Sequence, residues 1–219
     1  DAIQETTVLT GAVSAEYGRF TGGVVSALTK SGGNEFHGSL RDTFNNASWI
    51  AKTPVETTDH LDEIAQVYEG TLGGYAWKYR LWFFVAGRDA KGAPAVGINP
   101  IGSTTAPAGQ PVTTFSNTVD EKRYEVKLTA QVMAQHSIVG SYLDVDRVES
   151  NNYFAPIYDT ASIVASRSLP NTLLAVSYNG VLTSNLLLEG QYSKKEFAFI
   201  GSGGIFTDQI KGTWIADTT

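Results

Sequence analysis

Strict two-residue alternation of side-chain character is the feature that most constrains how this chain can fold. Within residues 123–132, apolar side chains occupy the even positions and charged or polar side chains occupy the odd positions, in the order RYEVKLTAQV. A helix would mix the two sets around its circumference, whereas a β-strand places them on opposite faces. We therefore expect a strand with Tyr124, Val126 and Leu128 on an apolar face, and Glu125 and Lys127 on a charged face.

Six other segments share this period, and together they predict seven antiparallel strands. They comprise residues 36–44, 66–76, 81–89, 136–146, 171–182 and 186–193. The tight connections WKYR, MAQH and LTSN alternate with long ones near residues 46–64, 91–120 and 149–169. Loops of a β-sandwich are short at both ends, at about 2–6 residues, whereas outer-membrane barrels combine short turns at one end with long loops at the other. The pattern predicts an all-β, antiparallel transmembrane β-barrel.

Composition narrows the classes of function without identifying one. The net charge is −6 and cysteine is absent, which excludes a disulfide framework and a thiolate metal site. Lys and Arg form no cluster, which argues against nucleic acid as a partner. No run approaches the roughly 18 apolar residues of a transmembrane helix, although a membrane-spanning strand needs only about 9–11 residues. No phosphate-binding glycine loop, catalytic spacing or metal-ligand spacing is present, so we expect no enzyme and no cofactor.

The N-terminal part differs in character from the seven segments. Strand-like patterns at residues 5–10 and 24–29 flank a turn-rich centre, and Val24, Val25, Ala27 and Leu28 are expected to form a small buried strand. The stretch AEYGRFTGGVVSALTKSGGNEFHGSL resembles the plug-to-barrel junction of TonB-dependent outer-membrane receptors, most closely their Oar-like branch. A second stretch, YEGTLGGYAWKYRLWFFVAG, resembles the next hairpin of that family.

This resemblance implies a division of the chain and a mode of action. Residues 1–34 would be the C-terminal part of a plug domain, and residues 35–219 would be about seven strands of a 22-stranded barrel. Such a receptor lies in the outer membrane of a Gram-negative bacterium, in contact with outer-membrane lipid. It takes up a bulky solute (siderophore, oligosaccharide or peptide) when the TonB complex pulls on the plug. The N-terminal box that TonB binds is not within this sequence.

Three groups of residues are candidates for functional roles. The plug–barrel junction would comprise Tyr17, Gly18, Arg19, Gly22, Gly23, Lys30, Gly32, Gly33 and Asn34. Of these, Gly22 and Gly23 would allow close backbone approach or positive φ, and Gly32, Gly33 and Asn34 would form a turn. The lumen-facing candidates are Glu125, Lys127 and Glu189, and the external-loop ligand candidates are Tyr153, Phe154 and Tyr158. The alternative for these three aromatic residues is a loop that packs on its own rings.

Two other functions fit parts of the pattern. A passive outer-membrane porin or an adhesin-like barrel would show the same strands, but it has no reason to contain a plug. A soluble, carbohydrate-binding β-sandwich would also show alternating strands, but it would not need detergent for extraction.

Overall fold

The chain folds as an all-β protein with antiparallel pairing throughout the part that the structure describes. The structure, a computed structural model, describes residues 2–10, 23–51, 54, 62–92, 95–96, 116–152 and 164–201. Its strands are β1 (Ile3–Leu9), β2 (Val24–Thr29), β3 (His37–Asn46), β4 (Ile64–Trp77), β5 (Leu81–Lys91), β6 (Ala95–Val96), β7 (Ser116–Met133), β8 (His136–Asn152), β9 (Val164–Ser168), β10 (Asn171–Thr183) and β11 (Leu186–Phe197). A 3-10 turn, Ala47–Trp49, follows β3. None of the helical segments within the described residues is long or apolar enough to cross a membrane.

The larger sheet is an up-and-down arrangement of seven strands. Its order is β11-β10-β8-β7-β5-β4-β3, with β9 added beside β8, while β6 pairs with β7. Each strand is antiparallel to the next one along this order. The seven strands predicted from the alternation are confirmed, with bounds that differ by a few residues at most ends.

Short and long connections lie at opposite ends of the sheet. Tight turns at residues 78–80, 134–135 and 184–185 join β4 to β5, β7 to β8 and β10 to β11. Because neighbouring strands are antiparallel, these three turns lie at one end of the sheet, and the long connections leave from the other end. We call these the short-turn end and the long-connection end.

Two strands are longer than the alternation predicts. β7 begins at Ser116 rather than near residue 123, and β8 continues to Asn152 rather than ending near residue 146. In these extensions every residue except Val119 and Val148 is polar, so the two-residue pattern disappears from the sequence. The backbone pairing nevertheless continues as far as Thr118 opposite Ser150. The predicted long connections at 91–120 and 149–169 are therefore wrong in extent, since each includes strand residues at its ends.

The two faces of the sheet differ sharply in chemistry. We call the face that carries the side chains of Glu125 and Lys127 the charged face. Register places Phe84 and Ser141 beside Lys127 on this face. The opposite, apolar face exposes a large set of apolar and aromatic side chains. They are Leu40, Phe44, Tyr68, Leu72, Tyr124, Val126, Leu128, Ile138, Tyr142, Leu174, Val176, Leu188 and Tyr192. Among the residues that the structure describes, Phe84 and Val164 are the apolar side chains that are fully buried, so no second layer covers this face.

The N-terminal strands form a separate two-stranded ribbon. β1 and β2 pair antiparallel, with Leu9 opposite Val24. The expectation of a buried strand here is wrong, because Val25 is 68% exposed, Leu28 is 51% exposed, Ala27 is exposed and Val24 is half-buried. A two-stranded ribbon has no interior of its own, and the described residues supply no layer against either of its faces.

Candidate functional site

A row of alternating charges crosses four strands on the charged face. Nε of Arg41 on β3 donates to Oε2 of Glu69 on β4 at 2.8 Å. Nε of Arg88 on β5 lies 3.6 Å from Oε1 of Glu69. Nη1 of Arg88 donates to Oε1 of Glu121 on β7 at 2.8 Å. These residues meet because strand register aligns Arg41, Glu69 and Arg88 in one cross-strand row. The result is a fixed array of guanidinium and carboxylate groups on one surface.

Such an array contributes little to stability. Single exposed ion pairs contribute about 0–1 kcal/mol to the free energy of unfolding. Guanidinium groups, however, present donors in a rigid planar arrangement that matches carboxylate and phosphate groups. In this row the guanidinium groups of Arg41 and Arg88 are paired with the carboxylates of Glu69 and Glu121.

The three lumen-facing candidates lie on the charged face. Cross-strand pairing runs from Lys127 through Ser141 and Ala175 to Ser193, and Glu189 lies four residues from Ser193 on the same face. The structure thus brings the three onto one surface, with Glu189 on the outermost strand of the described sheet. Glu189 is exposed there.

Glu125 and Lys127 differ in what they contact. Glu125 is only 5% exposed, and its Oε2 has no hydrogen-bond partner among the described residues. Nζ of Lys127 donates to the backbone oxygen of Thr29 at 3.1 Å and lies 3.5 Å from Oγ1 of that residue. Thr29 is the last residue of β2. Lys127 therefore ties the N-terminal ribbon to the charged face of the sheet.

Replacing Lys127 with methionine is expected to loosen the ribbon without unfolding the sheet. The change removes a hydrogen bond from a charged donor, which stabilises a structure by about 1.5–3 kcal/mol before allowance for partial exposure. Hydrogen exchange of residues 24–30, measured by mass spectrometry in the full-length protein, should accelerate by about threefold to tenfold. Lys122→Met, in the same strand but on the apolar face, is the matched control. Equal exchange in the two variants would show that the contact does not hold the ribbon.

Asn34 fixes the turn between β4 and β5. Its Oδ1 accepts hydrogen bonds from the backbone nitrogen of Tyr79 at 2.9 Å and from Nε1 of Trp82 at 2.8 Å. Tyr79 has a φ of 66°, a left-handed conformation that is unfavourable for a bulky side chain. The sequence identified Asn34 as a turn residue, and its partners lie 45 and 48 residues later in the chain.

Gly32 is required for a steric reason that differs from the one expected. A Cβ atom at this position would lie 2.2 Å from the backbone oxygen of Phe83 and 2.4 Å from that of Gly74. At Gly33, by contrast, a Cβ would meet no atom of the described structure within 4 Å. Neither residue has a positive φ; among the described glycines that conformation occurs at Gly201. The expectation that Gly32 and Gly33 serve a turn stays a prediction, and the structure adds that Gly32 permits close approach to the sheet.

Two other junction candidates close the N-terminal ribbon. A Cβ at Gly23 would lie 3.0 Å from the backbone oxygen of Leu9, which agrees with the close approach expected there. The backbone nitrogen of Lys30 donates to the backbone oxygen of Ala2 at 2.8 Å. The remaining candidates lie outside the described residues: Tyr17, Gly18, Arg19 and Gly22 of the junction, and Tyr153, Phe154 and Tyr158 of the proposed external loop.

The carboxylate of Glu149, at the long-connection end, is buried, which was not predicted from the sequence. Glu149 is 3% exposed and lies beyond the last apolar residues of β8. Nη2 of Arg147 is 2.8 Å from its Oε1, and Nε of Arg167 on β9 donates to its Oε2 at 2.6 Å. Burial raises the pKa of Glu149, but the hydrogen bonds from Arg167 and Arg147 outweigh burial and hold the pKa below its usual value. This cluster attaches β9 to β8.

A basic and aromatic hairpin occupies the short-turn end. Nζ of Lys78 lies 5.9 Å from the ring centroid of Tyr75 and 5.5 Å from that of Tyr79. The guanidinium of Arg80 lies 5.3 Å from the ring centroid of Trp77. Alternating aromatic and basic residues in YAWKYR are the signal that could have predicted these contacts.

Comparison with known proteins gives one informative similarity. A stretch of 94 residues is 38% identical to the TonB-dependent transporter Oar of Myxococcus xanthus, and it covers 37% of this chain and 8% of that protein. No family model matches the chain, and no solved structure is similar to it. The matched stretch is thus a small part of its relative, and it relates this antiparallel all-β chain to the TonB-dependent transporters at a coarse level.

Proposed function

We propose that this chain is part of a TonB-dependent outer-membrane receptor that takes up a bulky solute with energy from the TonB complex. In this proposal, residues 1–34 complete the plug, and residues 35–219 contribute seven neighbouring strands to the wall of a 22-stranded barrel. The partial similarity to a TonB-dependent transporter supports the class of protein. The proposal includes neither catalysis nor a cofactor, and nucleic acid is not among the partners.

The observation that carries the proposal is the uncovered apolar face. Tyr124, Val126 and Leu128 are 56%, 41% and 48% exposed, and each belongs to an apolar band that crosses seven strands. Exposed patches larger than a few hundred Å² are rare on soluble proteins. In a barrel wall, lipid covers one face while the charged face lines a polar interior. The same arrangement in water would leave the whole band against solvent.

The edge of the apolar band shifts along the strand direction from one strand to the next, and this shift supports strands that are tilted in a membrane. On β7 the last apolar residue before the charged extension is Tyr124, whereas on β11 it is Tyr192. Register pairs Tyr192 with Val176, Val176 with Gly140 and Gly140 with Leu128. The edge therefore moves by four residues, from Tyr124 to Leu128, over three strand steps. A strand tilt of about 35–45° and a strand spacing of about 4.8 Å predict that the edge shifts by roughly 1–1.5 residues at each strand step. The observed shift agrees with this range.

The position of the N-terminal ribbon supports a plug within the lumen. The hydrogen bond from Lys127 to Thr29 brings the end of β2 to the charged face, and the contact of Gly32 with the carbonyl groups of Phe83 and Gly74 brings the following segment against β4 and β5. A single hydrogen bond from a lysine is weak enough to break when a plug is pulled. Tyr153, Phe154 and Tyr158 remain candidates for contact with the solute outside the cell.

Three measurements on the full-length protein test the proposal. We expect the protein to remain in the membrane fraction after a carbonate wash and to require detergent for extraction. Reconstituted in planar bilayers, it should show little conductance, because a plug closes the lumen. Crosslinking in energised cells should capture TonB.

Each competing function predicts a different result. Large, steady conductance without a TonB crosslink would indicate a passive porin or an adhesin-like barrel. Full solubility without detergent would contradict the membrane proposal and favour a soluble, carbohydrate-binding β-sandwich.

A further inference from the structure

A small cavity lies on the charged face between β4, β5 and β7. Register aligns Thr71, Ala86 and Glu125 in one cross-strand row, and the short side chain of Ala86 leaves space between the other two. The cavity has a volume of about 50 Å³. An atom the size of a water oxygen needs about 10–15 Å³ of such space, so the cavity holds about four non-hydrogen atoms of a ligand.

Four charged side chains line this cavity, and two of them are already paired. The four are Glu69, Arg88, Arg123 and Glu125, and the rest of the lining is uncharged. Arg41 and Arg88 both hold the carboxylate of Glu69. Arg88 also donates to Glu121. This row of two guanidinium and two carboxylate groups is neutral as a whole, so the charges that remain for a ligand are those of Arg123 and Glu125.

Glu125 is the group in the cavity that most needs a partner. Its side chain is 5% exposed, and its Oε2 has no hydrogen-bond partner among the described residues. Burying a carboxylate without a donor is costly. Arg123, two residues earlier on the same face, is half-buried and forms no ion pair with Glu125 or Glu69 in the part of the chain that the structure describes. The cavity therefore offers one carboxylate and one guanidinium to a ligand.

The cavity lies on the long-connection side of the point where the ribbon meets the sheet. Nζ of Lys127 contacts Thr29 at that point, and Glu125 is two residues closer to the long-connection end, a distance of about 7 Å along the strand. In the proposed receptor, the long connections face the outside of the cell. A solute that enters from outside therefore meets this cavity before it meets the ribbon.

We propose that this cavity binds the free N-terminal end of a peptide solute. The terminal ammonium donates to the carboxylate of Glu125, and the carbonyl oxygen of the first peptide residue accepts from the guanidinium of Arg123. The nitrogen, α-carbon, carbonyl carbon and carbonyl oxygen of that residue together match the size of the cavity. This inference rests on the proposed function and narrows its solute to a peptide.

The chemistry of the cavity disfavours other ligands. A metal ion would be repelled by Arg88 and Arg123, and the described residues contain no group of three or more side chains that could hold a metal. A phosphate or carboxylate alone would face the unpaired charge of Glu125. A quaternary ammonium fits that charge but has no N–H donor for a charge-assisted hydrogen bond. Sugar hydroxyl groups can donate, but a neutral donor binds a carboxylate less strongly than an ammonium does.

A ligand-observed NMR titration of the full-length protein in detergent tests the ligand. The probes are triglycine, N-acetyl-triglycine, triglycine amide and maltotriose. We expect triglycine and its amide to bind about equally, because the site contacts only the N-terminal end. N-acetylation should weaken binding about tenfold, since it replaces a charged donor with a neutral one. Maltotriose should bind more weakly than triglycine.

Glu125→Gln tests the acceptor, because this change keeps the size of the side chain and removes its charge. We expect it to weaken triglycine binding about tenfold and to remove most of the preference over the N-acetylated peptide. Arg123→Met should weaken triglycine binding about threefold to tenfold while keeping that preference. Glu189→Gln is the matched control, since Glu189 is exposed on the same face, and this variant should bind triglycine normally.

Thermal stability without peptide separates a binding group from a stabilising one. A carboxylate that is buried without a partner destabilises the fold. Glu125→Gln should therefore keep its compact migration in SDS gels up to the same temperature as the parent or a higher one. A lower temperature would show that another part of the full-length chain already pairs with Glu125, and it would overturn the inference.

The outcomes separate this inference from the proposed function. The inference would also be overturned if the parent did not bind triglycine, if N-acetylation had no effect, if maltotriose bound more tightly, or if Glu125→Gln bound triglycine normally. None of these results alters the need for detergent or the crosslink to TonB. Solubility of the protein without detergent would instead contradict the proposed function itself.

Discussion

Leu128→Arg is expected to destabilise the proposed barrel by about 2–4 kcal/mol, the cost of an arginine in the middle of a strand surface that faces lipid. Leu128 is 48% exposed and lies at the centre of the apolar band, with Val126 and Ala130 on either side along β7. An arginine there must carry its charge into hydrocarbon or draw water and headgroups toward it. The measurement is the temperature at which the full-length protein loses its compact, heat-modifiable migration in SDS gels, together with its abundance in the outer membrane.

Thr129→Arg is the matched control for this change. Thr129 is the next residue of β7, and its side chain lies on the charged face together with Lys127. An arginine at this position enters a surface that already contains guanidinium groups, so the expected change is below about 1 kcal/mol. Equal losses in the two variants would contradict the assignment of the faces to lipid and lumen. A larger loss for Thr129→Arg would reverse it.

Gly32→Ala is the second change with a large expected effect. The new Cβ would lie 2.2 Å and 2.4 Å from two backbone oxygens, and neither atom is the flexible end of a side chain. The segment must therefore move away from β4 and β5, at a cost at or above the upper end of the roughly 1–3 kcal/mol typical of overpacking. We expect lower thermal stability and faster hydrogen exchange around residues 74 and 83, because the displaced segment no longer protects them.

Gly33→Ala provides the comparison at the neighbouring position. The added methyl group meets open space within the described structure, and φ at Gly33 is not positive. Alanine also restricts the unfolded chain more than glycine does, so the variant should be as stable as the parent or slightly more stable. If Gly33→Ala proved as damaging as Gly32→Ala, the requirement would lie in backbone flexibility, as the sequence suggested, and not in close approach.

Strand positions could be predicted from the sequence because their cause is local. In residues 123–132 the side chains alternate strictly, and β7 forms there with the expected faces. The same argument failed at residues 116–122, where every residue except Val119 is polar and the sequence shows no period. That extension of β7 is held by pairing with β8 and by the ion pair of Glu121 with Arg88, which alternation cannot reveal.

The candidate site was predictable only in part. The face of Glu125 and Lys127 followed from their odd positions in an alternating segment. Their contacts did not, because Thr29 lies 98 residues before Lys127. Glu149 reads as one more acidic residue of a polar segment, yet it becomes buried when Arg167 of β9 pairs with it.

The sequence by itself determined the alternating part of the seven strands, the identity of the two faces and the separation of tight turns from long connections, since each depends on spacing within a few residues. Tertiary structure decided which distant residues share a row. The requirement for Gly32 and the two hydrogen bonds accepted by Asn34 depend on how the segment before β3 packs against β4, β5 and the turn between them. The charged row of Arg41, Glu69 and Arg88 depends on strand register. Register is set by the pairing of whole strands, and a slip of one residue would move every side chain to the opposite face.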